Sequence, residues 1–176
     1  MSVWVPLISA GAGILGALGS QWLSHIFISR REKRASVEKQ NLERYFIATE
    51  LVFLLEKFAQ NCVSPATDSG GCDDKGRYYL RHNLPGFDYS TVTGDWRSLP
   101  NSLIYSLSEL PVLHEEARRH IESAEENDDP YDGSLTINAI RSESSRLGVR
   151  AIQLSRQLRD ICKMPPDELA NYSWSA

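Results

Sequence analysis

The sequence predicts an all-α protein, with a single N-terminal transmembrane helix followed by a cytoplasmic bundle of three to four helices with one long loop. Two observations lead to this prediction. The first 29 residues contain no Asp, Glu, Lys or Arg, and the later chain contains three segments with helical apolar spacing. The predicted regions are an anchor at 1–29, a stalk and first bundle helix at 30–60, an irregular loop at 61–99, bundle helices at 100–166 and a tail at 167–176.

The uncharged N-terminal segment is long enough to cross a bilayer. A helix from Trp4 to Ile28 would extend about 37 Å at ~1.5 Å per residue, against a hydrocarbon core of roughly 30 Å. A secretory signal peptide is the alternative, but its positive charge would precede the apolar region, whereas here the charge follows it. The basic cluster that follows, and that is expected to face anionic lipid, consists of Arg30, Arg31, Lys33 and Arg34. Its position predicts a bacterial inner-membrane protein with the N-terminus outside and the C-terminal domain in the cytoplasm.

Small residues inside the predicted anchor favour self-association. Small side chains four residues apart lie on one helix face, where two backbones can approach closely and pack in lipid. The residues expected to pack in this way are Gly13, Gly16, Ala17 and Ser20. The alternative is that glycine and alanine are simply common in membrane helices. We expect the bilayer itself and a second copy of the chain as partners, with a further protein partner as an additional possibility.

The three helical segments after the anchor differ in their apolar patterns. Residues 36–60 carry an apolar face so wide that it implies burial against two partners. Residues 101–124 follow a heptad-like alternation, although Pro111 within them is expected to kink the helix or split it in two. His114 on this apolar seam is interpreted as a hydrogen-bonded core histidine. Residues 134–162 place a third apolar seam on one face, and the aromatic residues of the loop are expected to pack onto the resulting bundle.

An alternative function rests on Arg77 and His82. The spacing of Arg, four residues and His resembles that of HEPN domains, helical ribonucleases that act as dimers. In that family the Arg holds the scissile phosphate and the His serves the proton transfer, with both side chains on one helix surface. The resemblance covers six residues, and Tyr78 stands where the family usually has a polar residue. It implies a membrane-anchored, HEPN-like ribonuclease that uses Arg77 and His82.

Other chemistry finds little support in the sequence. The chain contains no P-loop, no GxGxxG and no GxSxG motif, so we expect no nucleotide cofactor and no standard hydrolase. Cys62, Cys72 and Cys162 lack the CxxC spacing of zinc sites, and we expect free thiols and no metal. The acidic stretch 125–132 is interpreted as a turn between two helices rather than a calcium loop. The formal net charge of -4 makes nucleic acid an unexpected partner.

Three stretches resemble a group of small uncharacterised bacterial proteins. These stretches are 94–100, the Asp-rich turn at 128–130, and 147–158 ahead of Pro165. The resemblance implies an N-terminal anchor and a helical cytoplasmic part, and it implies no catalytic residue. The leading hypothesis is therefore a single-pass membrane protein whose helical domain mediates self-association or partner binding, as a membrane effector or pore, rather than catalysis.

Overall fold

The computed structural model describes residues 4–129 and 131–166, with side chains from residue 31 onward. Helices hold most of these residues, which confirms the all-α class. The elements in chain order are α1 Trp4–Thr67, β1 Gly71–Cys72, β2 Tyr78–Tyr79, a 3-10 helix Trp96–Ser98, α2 Asn101–Asn127 and α3 Ser134–Cys162. Within the part of the chain that is described, no helix combines the length and the apolar character needed to cross a bilayer.

The chain divides into two compact units, Met1–Leu42 and Glu43–Ala176. In the first unit the described structure is α1, whose side chains from residue 31 to 42 are exposed. The second unit holds the rest of α1 together with the two short strands, the 3-10 helix, α2 and α3. Its helices form the bundle that the apolar seams predict.

The core of the second unit is made from one apolar face of each helix. The largest contributions are Ile47, Leu51, Leu55 and Phe58 from α1, Leu103, Leu107 and Leu110 from α2, and Leu147, Ala151, Leu154 and Leu158 from α3. α1 and α3 approach closely at Gly148, where an added Cβ would lie 3.1 Å from the Cβ of Cys62. Glycine therefore allows these two helices to pack closely at this point.

Charged side chains join the helices at the edges of this core. The buried carboxylate of Glu56 on α1 accepts hydrogen bonds from the Ser155 hydroxyl at 2.6 Å and from Arg159 Nε at 2.9 Å, both on α3. Glu109 on α2 pairs with Arg150 on α3 at 3.1 Å. The first of these pairs is largely removed from water, so it is the one expected to matter most for stability.

Proline does not divide the second helix. α2 runs from Asn101 to Asn127 with Pro111 inside it, so the expectation of a split is wrong. Proline costs a helix one backbone hydrogen bond and about 3 kcal/mol. Leu110 before the proline and Ala117 after it are both fully buried, and this packing offsets the cost.

The acidic stretch predicted as a turn at 125–132 forms a turn only after residue 127, because 125–127 are the last residues of α2, and this turn caps α3. Asp128 Oδ2 accepts a hydrogen bond from the backbone N–H of Thr136 at 2.8 Å, which satisfies a free donor of the first helical turn. Gly133 just before α3 has φ +61°, a conformation that favours glycine. An added Cβ there would also lie 2.7 Å from the Cβ of Tyr78.

The irregular segment between α1 and α2 packs onto the core through edge-to-face aromatic rings. α1 continues to Thr67, so the segment starts later than the predicted boundary at 61. Phe58 of α1 lies 4.7 Å from Phe87, Phe87 lies 4.7 Å from Tyr89, and Tyr89 lies 5.3 Å from Trp96, between ring centroids. The Tyr89 hydroxyl donates to the backbone oxygen of Leu107 at 3.0 Å. The expected packing of the loop is therefore confirmed for these three loop rings.

Candidate functional site

The residues predicted to act in the membrane fall mainly outside the described side chains. This applies to the whole predicted anchor at 1–29, to Arg30, and to the packing residues Gly13, Gly16, Ala17 and Ser20. The other members of the basic cluster, Arg31, Lys33 and Arg34, are described and are exposed on α1. Their exposure leaves them accessible to an anionic surface.

Arg77 and His82 are not placed on a helix. They lie on either side of β2, and each contacts a different carboxylate. Arg77 Nη2 lies 3.0 Å from Asp73, and His82 Nδ1 lies 3.0 Å from Asp68. The helix surface that the ribonuclease interpretation needs is therefore absent at these residues, and both side chains have structural partners in the hairpin.

Asp68 organises the hairpin and was not identified from the sequence. Its carboxylate accepts hydrogen bonds from the backbone N–H groups of Gly70, Arg81 and His82 at 2.9 to 3.0 Å, as well as from the His82 ring. The bond from Gly70 is the main cause that lowers the pKa of Asp68 from 3.8 to about 2, against the opposing effect of desolvation. The local sign of this role in the sequence is that Asp68 stands two residues before Gly70. The other two partners, Arg81 and His82, lie more than ten residues further along the chain, and no sequence pattern connects them to Asp68.

α1 carries a second apolar surface on the side away from the core. We call Tyr45, Phe46 and Phe53 the exposed aromatic face; their exposed fractions are 47%, 73% and 63%. Phe46 and Phe53 are seven residues apart and lie on the same side of the helix, Tyr45 lies about a quarter turn away from them, and Ile47 and Leu51 lie in the core on the other side. The sequence predicted two partners for this helix. The core supplies both, because α1 packs there against α2 and α3, and the exposed aromatic face lies outside these contacts.

The polar side chains next to this face already have hydrogen-bond partners within the chain. The hydroxyl of Thr49, between Phe46 and Phe53, donates to the backbone oxygen of Tyr45 at 2.7 Å, so its donor is already satisfied. Glu50, the residue after Thr49, accepts a hydrogen bond from the backbone N–H of Thr93 at 2.7 Å. A partner that covers the face would therefore bury aromatic rings without leaving this hydroxyl unpaired.

His114 and the buried Cys62 lie in the packed part of the described fold. His114 Nε2 lies 2.8 Å from the backbone oxygen of Pro85, as expected for a hydrogen-bonded core histidine. The three cysteines are free, and burial raises the pKa of the Cys62 thiol to about 12, which suppresses its reactivity. Among residues 31–129 and 131–166, no group of three His, Cys, Asp or Glu side chains is arranged to hold a metal ion.

Comparison with known proteins gives no relative: no protein-family model, no curated protein and no solved structure matches this chain. A function can therefore be inferred only from the residues of this chain and their geometry. The surface that stands out for this purpose is the exposed aromatic face of α1.

Proposed function

We propose that this chain is a single-pass inner-membrane protein that self-associates through α1 and acts by assembly rather than by catalysis. The observation that carries the proposal is the exposed aromatic face. Large aromatic side chains that a helix exposes away from its core contacts are typical of an interaction surface. The uncharged N-terminal segment and the basic cluster after it support the membrane location, with the second unit in the cytoplasm.

The exposed aromatic face is small, so it is suited to a partner that the membrane already keeps close to it. Its three side chains expose roughly 400 Å² per copy if a whole aromatic side chain offers about 200 Å². Two copies would bury roughly 800 Å² in total, which is below the ~1,200 Å² at the lower end of stable interfaces. When both copies are anchored in the same membrane, the effective concentration of one copy around the other rises, and this compensates for a small interface. The small residues of the anchor add packing between the same two chains.

Charge substitutions on the face test self-association directly. We expect Phe46→Glu and Phe53→Glu each to lower the oligomer fraction of the full-length protein in lipid nanodiscs by at least about fivefold, because each places a carboxylate in an apolar contact. The matched control is Tyr105→Glu, an equally exposed aromatic residue on α2. Oligomers are counted by chemical crosslinking and by single-molecule photobleaching. If the control lowers assembly as much as the face variants do, the face has no special role.

The contribution of the anchor is tested separately. Leucine at Gly13 and Gly16 would hold two membrane helices apart, so we expect weaker assembly that adds to the effect of Phe46→Glu. Cell fractionation with protease treatment from each side of the membrane tests location and orientation. Full-length protein found in the soluble fraction, or cleavage near Ser20 followed by export, would rule out the anchor while leaving the role of the aromatic face open to the substitutions above.

A further inference from the structure

The chain that follows α3 is held against α1. Lys163 has φ +52° and turns the backbone, so that the N–H of Met164 donates to the backbone oxygen of Arg159 at 2.9 Å. The Arg159 guanidinium donates to the backbone oxygen of Pro165 at 2.7 Å and to the two Glu56 carboxylate oxygens at 2.9 and 3.0 Å. One side chain therefore joins α1 to the last residues before the tail.

The exposed aromatic face lies next to this point. Phe53 and Glu56 are three residues apart on α1, so they are neighbours on the helix surface. Tyr45 and Phe53, at the two ends of the face, are eight residues apart, which is about 12 Å along the helix at ~1.5 Å per residue. The tail has ten residues, and an extended chain of that length reaches roughly 33 Å. The whole face is therefore within reach of the tail of the same chain.

The tail contains apolar side chains that match the face. Three large ones stand within six positions, namely Leu169, Tyr172 and Trp174. Aromatic rings gain free energy from edge-to-face contacts with other rings, in addition to the gain from leaving water. Packing against the exposed aromatic face would therefore remove apolar surface of both segments from water.

The charges near the exit point are also complementary. Asp167 and Glu168 are the first two residues of the tail. Lys57, four residues after Phe53 on the same side of α1, is exposed and forms no ion pair with a described carboxylate. The acidic start of the tail therefore meets a free cation at the end of the face that lies nearest to the exit point.

We propose that the tail, residues 167–176, packs on the exposed aromatic face of its own chain and competes there with a second copy. The contact within one chain depends only on the geometry above, whereas the competition rests on the proposed self-association. A segment joined by a short linker has an effective concentration in the millimolar range, so a dissociation constant of about 1 mM is enough to cover the face half of the time. Assembly then requires a membrane density of the protein that is high enough to displace the tail.

Photo-crosslinking of the full-length protein in lipid nanodiscs tests the contact. p-Benzoylphenylalanine is placed at Phe53 and, in the matched control, at Tyr105, an exposed aromatic residue on α2. A mixture of unlabelled and 15N-labelled copies shows by mass spectrometry whether two joined peptides come from one chain or from two. We expect at least about fivefold more crosslinks to residues 167–176 of the same chain from position 53 than from position 105.

A double substitution in the tail tests the competition. Tyr172→Ser combined with Trp174→Ser removes two apolar side chains, and we expect the oligomer fraction at low membrane density to rise about threefold or more. The matched control combines Ser173→Ala with Ser175→Ala, which alters the same segment and keeps its apolar side chains. Circular dichroism confirms that each variant is folded.

Three results would overturn the proposal. One is an equal yield of tail crosslinks from positions 53 and 105, and another is crosslinking from position 53 only to a different copy. The third is an equal oligomer fraction in the two double variants, since this would show that the tail does not compete. If no variant forms oligomers, self-association fails by itself, and crosslinks within one chain would still support the tail contact.

Discussion

The ion pair between α1 and α3 makes a stringent test of how the bundle is held together. The side chains of Glu56 and Arg159 are only 9% and 13% exposed, and Ser155 donates to the same carboxylate. Glu56→Ala would remove this carboxylate from the largely buried Arg159 guanidinium, which also donates to the backbone oxygen of Pro165 at 2.7 Å. Removing one partner of a buried pair costs about 3–5 kcal/mol, compared with about 0–1 kcal/mol for an exposed pair.

The loss is measured by urea unfolding and by thermal unfolding, both followed by circular dichroism on the full chain. For a unit of this size about 1 kcal/mol lowers the melting temperature by roughly 3–4 °C, so we expect a decrease of about 10–15 °C for Glu56→Ala. The matched control is Glu43→Ala, an exposed glutamate on the same helix, with an expected change within about 0.5 kcal/mol.

A double substitution distinguishes the free-energy cost of a buried charge that has lost this partner from the cost of lost side-chain packing. Glu56→Leu combined with Arg159→Met replaces the pair by apolar side chains of similar length. Because buried ion pairs contribute little compared with apolar packing, we expect the double variant to recover to within about 1 kcal/mol of the original protein. A cost of less than about 1 kcal/mol for Glu56→Ala would show that water reaches the pair and that burial does not strengthen it.

Three further predictions concern single positions. In the described chain the buried hydroxyl of Ser144 has no hydrogen-bond partner, so Ser144→Ala should raise the free energy of unfolding by about 1 kcal/mol in urea; a decrease would contradict this. Gly133→Ala should lower it by about 1–2 kcal/mol because of its positive φ and the contact with Tyr78, while Gly86→Ala, with open space around it, should have no such effect. The lowered pKa of Asp68 means that its contribution to hairpin stability is complete above about pH 4 and is lost as the pH falls towards 2. Hydrogen exchange of the hairpin should show this loss, and Asp68→Asn should abolish its pH dependence; an unchanged profile in the variant would show that another group is responsible.

The helices of the bundle could be predicted because their apolar residues follow a single period. Leu103, Leu107 and Leu110 on α2 and Leu147 on α3 lie in the core as their spacing indicates. Ile161 has the same spacing but is 41% exposed, because α3 ends one residue later and leaves its last turn at the edge of the core. Periodicity therefore predicts the side of a helix that is buried but not where the buried part stops.

The hairpin could not be predicted from local patterns. Tyr78 and Tyr79 lie within the segment predicted as an irregular loop, and two-residue strands carry no usable period. Their positions depend on Asp68, whose carboxylate reaches the backbone of Arg81, 13 residues further along the chain. Contacts of this kind are set by tertiary packing, and Gly133 takes part in them from still further away.

The wide apolar face of α1 was recognised from the sequence, but its division into two sides was not. Ile47 and Phe46 are neighbours with similar hydrophobicity, yet one is fully buried and the other is 73% exposed. When a helix is apolar around most of its circumference, hydrophobicity does not distinguish the side that contacts the core. Only the positions of α2 and α3 make this distinction.

The ring contacts from Phe58 to Trp96 also determine where a label can be attached. Insertion of an epitope tag or a fluorophore between residues 87 and 96 would separate rings that lie about 5 Å apart and would loosen the segment from the bundle. The hairpin turn around Gly76 is exposed and has open space around it, so it can accept such an insertion. A tag in that turn would allow the protein to be imaged in living cells with its folded core intact.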